Sequence, residues 1–146
     1  IYQKYKIYES FFLRGKIRYK LDQYEESIRD YDNALMYFDN DYLLFLNRGH
    51  SNFDLEKYHD ALNDYDNAFR INPYNGSILL NKAIVEISLG NFKDAINYLD
   101  IASRKKLDNK FDKTLIKMHR IMANDYLQYF EYINYKENDN IKIYLK

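Results

Sequence analysis

Cysteine is absent from the 146-residue chain. That excludes disulfide frameworks, thiolate zinc sites and cysteine nucleophiles. It does not fix the compartment, for which the cytoplasm is the default expectation. One proline and four glycines are too few for a loop-rich or all-β design. Neither sign of charge is in excess, since 22 basic residues face 22 acidic ones. A domain built for nucleic acid needs a surplus of Lys and Arg on one face, so nucleic acid is not the expected partner. No apolar run approaches the ~18 residues of a membrane span. The chain opens on Ile1, with no signal-like pattern of basic, apolar and small residues, and reads as a segment of something longer.

Catalytic patterns are missing as well. The histidines His50, His59 and His119 form no HExxH pair, and Gly15, Gly49, Gly76 and Gly90 are scattered rather than gathered into a phosphate loop. No catalytic residue, cofactor or metal is assigned, and an enzyme is not expected. What is present is 47% hydrophobic and 30% charged residues, ordinary for a globular or repeat protein. The seventeen tyrosines follow a codon bias rich in A and T and are given no functional weight.

The informative feature is a period of 34 residues, repeated without insertion. Gly15, Gly49 and Ala83 line up, then Tyr24, Tyr58 and Phe92, then Ser27, Ala61 and Ala95. Tyr31, Tyr65 and Leu99 follow, with Ala34, Ala68 and Ala102 closing the set. Small residues recur where helices must approach closely. Apolar residues in the second half of each copy keep helical spacing, as in Tyr24, Ser27, Ile28, Tyr31, Ala34 and Leu35. Turn residues stand where hairpins must end: Asn40-Asp41, Asn72 to Gly76, and Asp108-Asn109. The aspartates Asp32, Asp66 and Asp100, with Asp30 and Asp64 beside them, read as a solvated outer face. So does the basic stretch from Arg104 to Arg120.

The run Asn47-Arg48-Gly49, then Tyr58, Ala61, Asp64-Tyr65, Ala68 and Asn72-Pro73 resembles the tetratricopeptide repeat family. Three copies are expected, about residues 8–41, 42–75 and 76–109, within a single domain spanning 1–146. The resemblance implies an all-α fold, a right-handed superhelical solenoid of antiparallel helix pairs. From 111 to 134 the pattern gives way to one stripe of Leu115, Met118, Met122, Tyr126, Tyr129 and Ile133, expected to seal the end of the stack. Residues 137–146 carry no helical period and read as a tail.

In this family the first helix of each pair lines the concave face. By that register the groove is expected to comprise Phe12, Lys16 and Tyr19, then Leu46, Asn47, His50 and Phe53, then Leu80, Asn81 and Ile84, with Glu9, Leu43, Ser77 and Ile87 beside them. The expected partner is another protein, offering a peptide or an amphipathic helix. The family's best-known clamp for chaperone C-terminal carboxylates uses Lys, Asn and Arg. Of its positions only Asn47 matches here, while Phe12, Lys16, Ser77 and Asn81 depart from it, so no such clamp is expected. The chain therefore reads as a non-catalytic interaction module. The alternatives are the regulatory or targeting arm of a larger enzyme, or a structural subunit that assembles through its terminal helix.

Overall fold

Each hairpin begins with a helix whose C-terminus turns back on itself at one fixed position. The computed structural model, which describes residues 2–144, contains α1 (Tyr2–Lys20), α2 (Tyr24–Leu35), α3 (Tyr42–Asp54), α4 (Tyr58–Ile71), α5 (Gly76–Ser88), α6 (Phe92–Ala102) and α7 (Asp112–Tyr144). Asp22, Glu56 and Gly90, one repeat length apart, all take left-handed backbone angles, with φ of 58°, 58° and 80°. Around them the same pair of backbone bonds recurs. Gln23 N donates to the Arg18 carbonyl and Asp22 N to Tyr19; Lys57 and Glu56, then Asn91 and Gly90, repeat the arrangement. This is the Schellman closure, which satisfies the last carbonyls of a helix. Only Gly90 adopts the conformation without strain. The reverse connections are capped by side chains: Asp41 accepts from Leu43 N and Asn75 from Ser77 N, both at 2.9 Å.

The core runs as one line through the stack. Tyr31, Ala34, Ala61, Ala68, Leu99 and Ala102 are fully buried, and Tyr65 nearly so. Inner and outer helices match in size. A Cβ on Gly15 would lie 2.6 Å from Tyr31 Cε1, and one on Gly49 2.6 Å from Tyr65 Cε1. The third hairpin carries Leu99 in place of the tyrosine, and Ala83 in place of the glycine.

Two polar systems depart from the solvated face expected of the aspartates. Asp30 and Asp64 are each 1% exposed. Asp30 is held by Arg14 at 2.6 Å and Arg18 at 2.8 Å; Asp64 is held by Arg48 at 2.6 Å and by Asn52 at 2.9 Å. Burial raises the Asp64 carboxyl above its usual range, against the pull of Arg48 and Asn52. Burial would likewise lower the Arg48 guanidinium, but its bonds to Asp64 and Asp32 prevail and raise it. In the third hairpin the column becomes Tyr98, with Lys82 Nζ 4.2 Å from its ring centroid. Asp32, Asp66 and Asp100 do remain partly exposed. Each, however, ties its outer helix to the next helix in the chain: Asp32 to Arg48 at 2.6 Å, Asp66 to Lys82 at 2.5 Å, and Asp100 to Arg120 at 2.5 Å. Each such pair contributes under about 1 kcal/mol; their regularity fixes register more than stability.

The terminal helix differs from expectation in two ways. Its backbone is helical through Tyr144, where a tail from 137 was expected; Leu145 and Lys146 lie outside the described residues. The side that packs on the stack carries Ile116 and Ala123, at 4% and 0% exposure; of the expected stripe from Leu115 to Ile133, Tyr126 reaches the stack, its ring 5.3 Å from that of Phe92 on α6. Small Ala123 lets α7 approach α6 closely. Met118 and Tyr129 are 59% and 60% exposed.

Candidate functional site

The inner surface is made by α1, α3, α5 and the first half of α7. Positions 16, 50 and 84 continue one repeat length later at Met118, positions 47 and 81 at Leu115, and positions 43 and 77 at Phe111. α7 therefore occupies the place of the first helix of a fourth hairpin. The columns that would face a second helix, Phe11, Phe45 and Leu79 and then Gly15, Gly49 and Ala83, continue on α7 as exposed Lys113 and Lys117. Charged ammonium groups in that position need water.

The expected groove residues fall into four groups. Leu46 and Leu80, 7% and 3% exposed, belong to the core and offer a ligand almost nothing; here the expectation is corrected. They sit where adjacent hairpins meet, and stacking covers them. Ser77 is covered too, its hydroxyl donating to Asp112 and accepting from Asp108 N at 2.7 Å. Phe12, Phe53 and Ile84 are half-buried walls packed on the core clusters. Lys16 is exposed, its ammonium 5.5 Å from the Phe12 ring centroid.

The remaining four stitch the inner helices together or line the floor. Tyr19 hydroxyl donates to Asp54 at 2.7 Å, linking α1 to α3. His50 lies edge-on to Tyr65 at 5.8 Å and 3.2 Å from the Asn81 amide, linking α3 to α5. Burial lowers the His50 pKa, so the imidazole is neutral at pH 7 and can accept the amide proton. Asn47 donates to the Leu43 carbonyl of its own helix at 2.6 Å. These cross-links hold the helices in fixed relation, so a ligand meets a surface already in place.

Sequence reasoning missed an apolar part of this surface. Met118, Ile121, Met122, Asp125, Tyr126 and Tyr129 line a shallow trough of about 660 Å³. The signal was present: Met118 and Ile121 stand in the 34-residue register of positions 84 and 87, and Met122, Tyr126 and Tyr129 continue from them at helical spacing. Met118, Met122, Tyr126 and Tyr129 read as the sealing stripe because one helix carries two apolar faces. Among the described residues no cluster of His, Asp or Glu could hold a metal, and no helix is long and apolar enough to cross a membrane.

Stacked hairpins with a preformed inner surface and this polar stitching define a helical-repeat interaction module. The tetratricopeptide repeat pattern matches residues 8–41 and 52–111, together more than half of the chain, and the chain belongs to that family, whose members are protein-interaction modules. Solved structures agree on the fold. The Arabidopsis OM64 TPR domain is 22% identical, with a TM-score of 0.72 over 82% of this chain and 98% of that one. The TPR2B domain of yeast Sti1, in complex with an Hsp70 peptide, is 20% identical with a TM-score of 0.77, again over 82% and 98%. The Yersinia enterocolitica type III secretion chaperone SycD, in complex with a peptide of the translocator YopD, is 17% identical with a TM-score of 0.73 over 80% and 91%. No curated sequence matches the chain.

Proposed function

We propose that the chain is a non-catalytic scaffold that holds an amphipathic helix or apolar peptide of a partner protein along its inner surface, from Leu43 to Tyr129. The observation that carries this reading is the run of exposed apolar side chains on α7 in line with the groove positions of α3 and α5. Apolar surface left uncovered in this amount marks a contact site. A chaperone C-terminal tail suits the groove poorly. Carboxylates are captured by converging cations, yet Phe12 and Asn81 stand at two of those positions, and Ser77 at a third is bonded to Asp112. A bound carboxylate would face that acid. An assembly role for α7 is a second reading, favoured by exposed Tyr132 and Tyr135 further along the helix; the oligomeric state of the chain separates the two.

The test is calorimetric titration of a partner peptide identified by pull-down. Replacing Asn47 and Asn81 together with Glu, or Met118→Asp alone, is expected to weaken binding at least tenfold with the helical circular dichroism unchanged. Each new charge would lose its hydration against an apolar ligand, a cost above about 1.4 kcal/mol. Unaltered affinity in both variants would sink the groove assignment.

A further inference from the structure

Only one asparagine of the chain, Asn75, is followed by glycine. An asparagine in that position is chemically labile. Glycine has no side chain to hinder its own backbone nitrogen, and its conformational freedom lets that nitrogen reach the Cγ of the residue before it. Packing imposes both residues here. A Cβ at Gly76 would lie 2.7 Å from the Ala102 carbonyl oxygen and 2.9 Å from Leu107 Cδ2, so the position takes no larger residue. Asn75 uses both ends of its amide: Oδ1 accepts from Ser77 N, and Nδ2 donates to both Asp108 oxygens, each at 2.9 Å. One repeat earlier Asp41 caps its helix in the same way, but its second oxygen is met by a donor, the Tyr8 hydroxyl. In the third hairpin an acid stands opposite instead, and an amide answers it.

The fold holds this labile pair in an unreactive form. Asn75 is 4% exposed and tied at both ends of its side chain. The nucleophile, Gly76 N–H, donates to the Lys106 carbonyl at 2.6 Å. The locks on Nδ2 and on Gly76 N–H both come from the segment 103–111, between α6 and α7. Ser77 Oγ accepts from Asp108 N at 2.7 Å and donates to Asp112, the first residue of α7. The Asn75 amide thus serves Asp108 and the Ser77 hydroxyl serves Asp112, and no ion pair among the described residues reaches either acid. Reaction requires the segment to open, and local opening of a connecting segment costs less than global unfolding.

We propose that Asn75 is a deamidation site guarded by the segment 103–111, and that its conversion stops the segment from closing again. In the open state Gly76 N attacks Asn75 Cγ. The N–Cγ bond forms, the Cγ–Nδ2 bond breaks, and Nδ2 leaves as ammonia with the proton of Gly76 N. Water then opens the cyclic imide at either carbonyl, leaving an aspartate or an isoaspartate at position 75. In the aspartate product Ser77 N keeps an acceptor, but two carboxylates now face each other where a 2.9 Å hydrogen bond had been. Like charges in that position repel, and Asp108 loses its side-chain donor. The isoaspartate product also lengthens the backbone where Asn75 pairs with Lys106. Either way the tie between α5 and the start of α7 is lost.

The full chain and a synthetic peptide of residues 70–81 are kept at mildly alkaline pH below the unfolding temperature, and residue 75 is followed by peptide mapping with mass spectrometry. Conversion in the folded chain is expected to be at least tenfold slower than in the peptide. Asp108→Ala, checked by circular dichroism, should speed it several-fold, and so should urea below the unfolding transition. Asn75→Asp reproduces the aspartate product: its Gly76 and Asp108 amides should exchange with deuterium at least tenfold faster than in the wild type, with α4 unchanged. Adding Asp108→Asn to Asn75→Asp exchanges donor and acceptor of the same bond and should restore slow exchange. The proposal is overturned if chain and peptide convert equally fast, or if neither Asp108→Ala nor urea speeds conversion. It is also overturned if Asn75→Asp exchanges like the wild type, or if the double variant exchanges like Asn75→Asp, since the loss then does not come from facing carboxylates.

Discussion

Gly49→Ala is expected to destabilise the chain by about 1 to 2 kcal/mol, although the same change in an ordinary helix interior stabilises by about 1 kcal/mol. The new Cβ would stand 2.6 Å from Cε1 and 2.9 Å from Cδ1 of Tyr65. That ring is 2% exposed and has His50 against it, so it has little room to swing away. Overpacking of this kind costs roughly 1 to 3 kcal/mol, which outweighs the propensity gain. The third hairpin contains the remedy, since Ala83 there faces Leu99. Tyr65→Leu alone removes buried volume and is also destabilising. The double variant is expected to be more stable than the sum of the single effects by at least about 1 kcal/mol, the coupling of residues in contact. Urea unfolding of the four proteins measures it, and additive effects would show that the glycine column has another cause.

The larger loss is expected from Arg48→Met. Asp64 would keep Asn52 but lose its only cation within the pair, leaving a buried carboxylate almost uncompensated. Removing one partner of a buried pair costs about 3 to 5 kcal/mol. The pH dependence gives the cause away. With Arg48 gone, burial is opposed only by the Asn52 hydrogen bond and raises the folded pKa of the Asp64 carboxyl further above the unfolded value. A group raised in this way binds its proton more tightly in the fold, so the variant gains stability relative to wild type as pH falls and loses it as pH rises through the folded pKa. The difference between variant and wild type in unfolding free energy should therefore shrink toward pH 4 and widen toward pH 7. A difference independent of pH would place the loss in side-chain packing instead. Arg14→Met should cost less, because Asp30 retains Arg18.

Fold and site were legible to different depths. The 34-residue columns recorded the contacts between paired helices directly, since Gly15 against Tyr31 and Ala83 against Leu99 are size matches that recur at a fixed spacing. The closures at Asp22, Glu56 and Gly90 stood in the same register, but two of the three residues are not the glycine that the conformation favours, and the column passes for surface. Asp30 and Asp64 also passed for surface. Their partners lie on another helix, and a buried acid is told from a solvated one only by what reaches it. On α7, one helix carries two apolar faces; periodicity shows both, and only packing shows that Ile116 and Ala123 take the stack while Met118 and Tyr129 are left exposed.

The central claim is that a partner lies along the inner surface from α3 to α7. Its most direct test is photo-crosslinking in cells, with a benzophenone amino acid placed in turn at Leu43, at Met118, and at Asn97 on the exposed side of α6. One and the same partner protein is expected to be captured from Leu43 and from Met118, and not from Asn97. Capture of that partner from Asn97, with none from the two inner positions, would contradict the account.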